Sequence, residues 1–105
     1  MSNYPYMSAA HLAVRLNGLD EIVTLSGQEA QFVRLALRAG ERGFTFGEAV
    51  PGLGGYYPNL KGIKDRLKKR GILFRGERVS GHLYFRFWFD VEVEVVCDEG
   101  GAEYE

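Results

Sequence analysis

Residues 59–76 of the chain read NLKGIKDRLKKRGILFRG, a segment that separates apolar from basic residues at helical spacing. At about 100° per residue, Leu60, Ile63 and Leu67 lie within one narrow sector of a helix. Gly71 predicts the end of that helix, because glycine readily adopts the left-handed conformation of a C-terminal cap. The segment therefore predicts a helix that docks on a core through one stripe and is followed by a strand, ILFRG.

The remaining sectors of this helix are strongly basic. The eleven residues from Lys61 to Gly71 contain six bases and a single acid, Asp65. A helix that needs only solubility mixes signs at a spacing of four residues. Lys61 in the first turn opposes the helix dipole, and Gly62 costs about 1 kcal/mol relative to alanine. Charge placed at such a local cost favours a polyanionic partner, and the alternative is an ordinary solvated face.

Charge is also divided along the whole chain, although its 105 residues sum to a net charge of −1. Residues 1–89 contain all 13 Lys and Arg with seven acids, whereas residues 90–105 contain the other seven acids and no base. This division predicts a basic domain followed by an acidic end. We expect a flexible arm over residues 1–11, one domain over residues 12–89, and an acidic strand extension and tail over residues 90–105.

Several function classes receive no support from the composition. Cys97 is the only cysteine, so an intrachain disulfide is excluded and a reducing compartment is favoured. Neither a signal peptide nor an apolar run of about 20 residues is present, which predicts a cytoplasmic protein that does not contact membranes. His11 and His82 have no paired ligand, and the GLGG run at 52–55 lacks the Gly-Lys-Ser/Thr ending of a phosphate loop. We therefore expect no metal, no cofactor and no enzymatic activity.

A hairpin is predicted at each end of the domain. Asn17–Gly18 between two apolar runs predicts a two-residue turn joining strands near 12–16 and 21–25. Near the other end, the polar segment GERVSG, residues 76–81, predicts a turn before HLYFRFWFDVEVEVV, residues 82–96. The alternation of the latter predicts one long strand, with Phe85, Phe87, Phe89 and the following valines on its core face and Trp88 on its charged face.

Three helices are predicted between the hairpins. Ser26 to Glu29 and Thr45 to Glu48 each match a capping box, in which two side chains satisfy free backbone N–H groups. The first box opens a long helix that ends at Gly40, and the second opens a short helix that Pro51–Gly52 stops. Asn59 is the predicted N-cap of the basic helix.

The acidic end allows three interpretations. It is a solvated tail, or it lies across the basic face and competes with the partner, or its strand pairs with a second copy of the chain. An exposed strand edge seeks a partner, and Trp88 would be unusual if left bare on the charged side. The sequence therefore favours a homodimer formed through the extended C-terminal strand.

A basic helix beside an arginine-bearing hairpin is a suitable arrangement for binding duplex DNA. Lysines and arginines neutralise phosphates and release counterions, and a helix fits the major groove, where an Asp can accept a hydrogen bond from cytosine N4. The residues predicted to contact DNA on the helix are Asn59, Lys61, Gly62, Lys64, Asp65, Arg66, Lys68 and Lys69, and those in and beside the hairpin turn are Arg75, Arg78, Ser80 and His82.

Two stretches resemble the winged helix-turn-helix superfamily. IKDRLKKRGILFRG, residues 63–76, is similar to a recognition helix with its first wing strand. VRLNGLDEIVTLSGQEAQFVRLALRAGERGFTFGEAV, residues 14–50, is similar to the start of an OmpR-type output domain. The likeness covers about residues 12–89 and implies an α+β fold with an N-terminal β-hairpin, three helices and a C-terminal wing with an extended last strand. The glycine-rich loop GLGGYYP, the long last strand and the lack of a receiver domain depart from the family pattern.

The resemblance implies a small transcriptional regulator that binds double-stranded DNA, either sequence-specifically or generally. The rival class is a winged-helix module that binds a protein, with the acidic end as a nucleic-acid mimic or partner-binding segment. Binding of single strands or RNA would need exposed rings, whereas Phe85, Phe87 and Phe89 alternate as core residues do.

Overall fold

The computed structural model of the protein describes residues 11–49, 57–78 and 85–99, the side chains of 57–59 excepted, and in these residues three helices and one short strand lie between two N-terminal and three C-terminal strands. Predictions about residues 1–10 of the arm, Pro51–Gly52, the 52–55 loop, Ser80, His82 and residues 100–105 of the tail lie outside these residues. The elements are β1 (Leu12–Leu16), β2 (Ile22–Leu25), α1 (Gly27–Ala39), a 3-10 turn (Gly40–Arg42), β3 (Phe44–Thr45), α2 (Phe46–Ala49), α3 (Tyr57–Lys69), β4 (Phe74–Arg78), β5 (Phe85–Phe89) and β6 (Val93–Asp98).

The strands form two small antiparallel sheets. In the first sheet the order is β2-β1-β6, so the first and last described strands pair with each other. In the second sheet the order is β3-β5-β4, so a two-residue strand between the helices joins the C-terminal hairpin. The predicted α+β class is confirmed.

The predicted N-terminal hairpin forms, but its connection is longer than two residues. Asn17 and Gly18 both have positive φ, at 54° and 70°, and the Leu19 N–H donates to the Leu16 carbonyl. The last paired residues are nevertheless Arg15 and Ile22. Asn17 is also held from outside the hairpin, because its N–H donates to the Glu92 carbonyl and its Oδ1 accepts the Glu92 N–H.

Only one of the two predicted capping boxes forms. Thr45 and Glu48 exchange reciprocal hydrogen bonds between side chain and backbone N–H, each 3.1 Å long, at the start of α2. Ser26 occupies the N-cap of α1, but its side chain makes no capping hydrogen bond, so that box is wrong. Its acid, Glu29, turns instead toward two arginines on and just beyond α3.

Helix α3 starts earlier than the sequence indicated and ends where it predicted. The helix begins at Tyr57, so the assignment of Asn59 as N-cap is wrong. At the other end Gly71 has φ +91°, its N–H donates to the Lys68 carbonyl, and the Ile72 N–H donates to the Leu67 carbonyl. This pair of hydrogen bonds is a Schellman motif, which satisfies carbonyls left free at a helix end.

The C-terminal hairpin is longer on its first side than predicted. Gly76, Glu77 and Arg78 belong to β4 rather than to a turn, and they pair with Phe87, Arg86 and Phe85 of β5.

The predicted single last strand is wrong, because the chain breaks it at residues 90–92. β5 stays in the second sheet, and β6 crosses to the first sheet, where it pairs with β1. A bulge then shifts the register, since Val14 pairs with Val95 while Ala13 pairs with Cys97. The extra residue, Val96, reverses the alternation, and Asp98 therefore lies on the core side instead of the solvent side.

The core joins both sheets to the helices. The predicted stripe of α3, Leu60, Ile63 and Leu67, is fully buried against it. Phe32 of α1 lies edge-on to Phe44 and Phe74, with ring centroids 5.3 Å apart in both pairs. Among the described residues, the buried apolar ones are Leu12, Val14, Leu16, Leu25, Ala30, Phe32, Val33, Ala36, Ala39, Phe44, Ala49, Leu60, Ile63, Leu67 and Ile72.

Two aromatic residues of β5 lie differently from the prediction. Phe87 and Phe89 pack against the core, but Phe85 is 44% exposed, so its assignment to the core is wrong. Trp88 is half-buried, and its indole N–H donates to the Glu41 carbonyl at 2.8 Å. Gly43 makes room for this indole, since a Cβ there would lie 2.7 Å from it. Trp88 therefore gives no reason to expect a second copy of the chain, and the homodimer stays a prediction.

Candidate nucleic-acid interface

The outer surface of α3 carries the predicted basic face. Because Leu60, Ile63 and Leu67 fix which stripe is buried, Lys61, Asp65, Lys68 and Lys69 all become exposed. Within the described ranges, no carboxylate lies within 4 Å of Lys61, Lys68 or Lys69. Asp65 is the one acid in this exposed group of four. The helix thus presents lysines whose charge is available to an anion outside the chain.

Three lysines form a row along the side of α3 that faces β5. Lys64 Nζ lies 5.6 Å from the centroid of the Phe87 ring, which places the middle of this row against the strand. Lys61 and Lys68 stand three residues before and four residues after it, so both lie on the same side of the helix. We call Lys61, Lys64 and Lys68 the lysine row.

The other side of α3 is neutralised by α1. Glu29 binds both Arg66, with Nε 3.1 Å from Oε2, and Arg70, with Nε 3.0 Å from Oε1. The Arg70 guanidinium also donates to the Thr24 carbonyl. The angular argument placed Arg66 on the surface free for DNA, and the structure gives it an internal partner. The sequence could not show this, because the Glu29–Arg66 pair joins two helices.

The hairpin divides its predicted arginines between two faces. Arg78 lies opposite Phe85 in the register, and its guanidinium is 5.6 Å from that ring. Arg75 lies opposite Trp88, over whose ring it stacks at 4.8 Å, and it also pairs with Glu77. Since neighbouring residues of a strand point to opposite faces, Arg78 shares the face of Phe85 and Phe87 whereas Arg75 does not. The structure therefore brings Arg78, and not Arg75, to the face that the lysine row contacts.

Two further residues of α3, Gly62 and Asn59, were predicted to contact DNA. Gly62 lies within α3, half-buried, and a Cβ there would contact only the Arg66 guanidinium, at 3.4 Å. Asn59 lies in the first turn of α3, and its side chain is outside the described residues.

The described acids of β6 and the residue after it are used elsewhere in the fold. Glu94 pairs with Arg15 of β1 at 3.2 Å, and Glu99 lies 3.3 Å from the His11 imidazole. Asp98 accepts from Arg34 of α1 at 2.7 Å, with both side chains over 90% buried. These three acids bind other parts of the fold and do not lie across the basic helix. The interpretation in which the acidic end covers the basic face and competes with the partner is therefore wrong for residues 93–99.

Sequence reasoning missed one residue on this surface, Phe85. The alternation predicted Phe85 on the core face of the strand, together with Phe87 and Phe89. Phe85 does lie on that face, but it is exposed because the core does not extend as far as this end of β5. The sequence signal for this exposure was the closeness of Phe85 to the predicted turn at residues 76–81, because strands commonly leave the body of a domain at a turn.

In the described residues, no group of three or more His, Cys, Asp and Glu is placed to hold a metal ion. No helix in the same residues has the length and apolar character needed to cross a membrane.

Comparisons with known proteins added no assignment: no family model, no curated protein and no solved structure matches this chain.

Proposed function

We propose that the protein is a winged-helix protein that binds double-stranded DNA, with α3 in the major groove and the β4–β5 hairpin on the backbone. The order of elements, with an N-terminal hairpin, three helices and a C-terminal hairpin, supports this proposal, because the winged-helix resemblance implies the same order. The role of a small transcriptional regulator rests on that resemblance alone.

The observation that carries the proposal is the uncompensated charge on one side of α3. The lysine row and Lys69 lack acidic partners among the described residues, while Arg15, Arg34, Arg66, Arg70 and Arg86 all have them. These five arginines thus have their charge compensated within the fold, whereas the lysines of this surface have no acidic partner among the described residues. Phosphates are the ligands that such a row of cations neutralises in duplex DNA.

The size of the surface suits a DNA groove. The 13 residues of α3 give a helix about 20 Å long, and a major groove about 12 Å wide admits one helix. Lys61, Lys64, Lys68, Lys69 and Arg78 could neutralise five phosphates between them. Five such contacts predict a log–log slope of affinity against salt of about −4.5.

The test measures fluorescence anisotropy of a labelled 20-base-pair duplex of random sequence with the full chain, at several salt concentrations. We expect binding that weakens with salt at about the slope given above. The double variant Lys61→Glu with Lys68→Glu should lose the duplex while its circular dichroism remains that of the wild type, because both side chains are exposed and unpaired in the described structure.

A matched control separates the site from net charge. Arg38 and Arg42 are also exposed, and no carboxylate of the described residues lies within 4 Å of them, so Arg38→Glu with Arg42→Glu makes the same change in net charge away from α3. We expect this control to retain most of the affinity. Equal losses in both double variants would reduce the interaction to general attraction, and a folded wild type that binds no duplex would overturn the proposal in favour of a protein partner.

Truncating the chain after Phe89 would not be a clean test of whether the acidic end inhibits DNA binding. It would remove β6, leave β1 without one neighbour, and deprive Arg34 of Asp98. Any change in DNA binding would then combine the loss of acids with damage to the fold.

A further inference from the structure

A ladder of aromatic rings leads from the core to the surface of the β4–β5 hairpin. Phe46 stacks on Phe87 with centroids 4.8 Å apart and planes inclined by 21°. Phe87 is followed by Phe85, with centroids 6.4 Å apart and an inclination of 25°. The Arg78 guanidinium lies over Phe85 at 5.6 Å. The ladder therefore ends in an exposed ring and an exposed cation.

The inner ring of the ladder, Phe87, is packed from the core side. Phe87 also lies 6.1 Å from Phe44, which is buried. Across the strand from Phe87 is Gly76, where a Cβ would come within 2.8 Å of the Phe87 ring. The glycine thus lets this ring lie against β4. An aromatic surface fixed in advance loses little conformational freedom when a ligand stacks on it.

The exposed end combines apolar and positive character. A single exposed apolar residue is common on protein surfaces and needs no function. Phe85 differs because Arg78 covers it and because the next ring of its ladder, Phe87, is covered by Lys64 of the lysine row. Within the described ranges, neither of these cations has a carboxylate within 4 Å. An aromatic ring flanked by unpaired cations matches a ligand that has a flat π-face joined to negative charge.

We infer that Phe85 and Arg78 form a stacking site for an unpaired base of single-stranded DNA that continues from the duplex bound by α3. This inference rests on the function proposed above and extends it from duplex DNA to junctions between double and single strands. The base stacks on the guanidinium that covers the ring, or on the ring once the guanidinium moves to a phosphate, and the phosphates of the strand approach the lysine row. Stacking is tolerant of sequence, because every base has a π-face.

The test compares three labelled probes with the full chain at one salt concentration: a blunt 12-base-pair duplex, the same duplex with a six-nucleotide single-stranded thymine overhang, and the duplex with an abasic overhang of equal length. The abasic probe has the same phosphates and no bases. Stacking of one base predicts binding to the thymine overhang at least about fivefold tighter than to the abasic one.

Variants assign that preference to the ladder. Phe85→Ala should bring the two overhang probes to equal affinity and leave binding to the blunt duplex within about twofold. Phe85→Trp should keep the preference, because it retains an aromatic face. Ile22→Ala is the matched control, since Ile22 is a β2 residue that is also 44% exposed, and it should leave all three affinities unchanged.

The outcomes distinguish the two proposals. A wild type that binds all three probes equally overturns the stacking site and leaves duplex binding intact, as does a Phe85→Ala variant that retains the preference. A wild type that binds none of the probes overturns both. Because the thymine and abasic probes are compared on the wild-type protein, the result does not depend on how well any variant folds.

Discussion

Replacing Asp98 by alanine is predicted to destabilise the protein severely. Asp98 accepts three hydrogen bonds from the Arg34 guanidinium, at 2.7, 3.1 and 3.2 Å, and the exposed fractions of the two side chains are 7% and 3%. Removing one partner of a buried pair leaves the other charge buried, which costs about 3–5 kcal/mol. Small domains have only about 5–15 kcal/mol of unfolding free energy, so between about a fifth of the stability and all of it would be lost.

The assays are urea unfolding and thermal unfolding, each followed by the fluorescence of Trp88, the only tryptophan in the chain. The loss predicts a fall in Tm of roughly 12 °C or more, taking at least 4 °C for each kcal/mol. Glu94→Ala is the matched control. It removes an acid from the same strand whose ion pair with Arg15 is far less buried, with 61% of the Glu94 side chain and 31% of the Arg15 side chain exposed, and pairs near the surface contribute about 0–1 kcal/mol.

A third variant separates the pair's charge from its packing. Arg34→Met with Asp98→Leu removes both charges together and should recover most of the loss, because apolar replacements of a buried pair are often neutral or stabilising. The reasoning would be refuted if Asp98→Ala and Glu94→Ala cost the same free energy, since burial would then not determine the effect.

Two further variants test other contacts. Gly43→Ala should cost at least about 1–3 kcal/mol and shift the Trp88 emission, because Gly43 has φ +71° and ψ −178° and a Cβ there would displace the indole. Gly18→Ala is the control: Gly18 has φ +70°, but a Cβ there would have nothing within 4 Å, so the substitution should cost only about 1–2 kcal/mol. A stability loss at Gly43 that is equal to or smaller than the loss at Gly18 would contradict this account. Glu29→Ala should strengthen duplex binding and steepen its salt dependence in anisotropy titrations, because it frees Arg66 and Arg70. Glu94→Ala changes the net charge equally and should have the smaller effect.

Local signals predicted the parts of the fold that depend on a few consecutive residues. Gly71 ends α3 because a left-handed cap needs only that glycine and the preceding turn. Thr45 and Glu48 form their box within four residues, and the burial of Leu60, Ile63 and Leu67 follows from helical spacing.

Features that depend on distant partners were not predictable in this way. The first capping box fails because Glu29 has arginines of another segment within reach. The alternation of residues 82–96 indicated one strand, and neither the break at 90–92 nor the bulge at Val96 has a local signal. For the candidate site, spacing identified the lysines, but the separation of Arg75 from Arg78 and the exposure of Phe85 required the register of β4 with β5.

The pairing of β1 with β6 determines when this protein can finish folding. Arg15 and Glu94 are 79 residues apart in the chain, so β1 and β2 emerge from the ribosome long before their sheet is complete. The three helices of the described structure can form in the meantime, whereas one edge of β1 stays open until synthesis reaches β6. A strand edge left open during synthesis is a surface for aggregation. Slow translation of β6 would therefore reduce the yield of folded protein without altering any contact of its final structure.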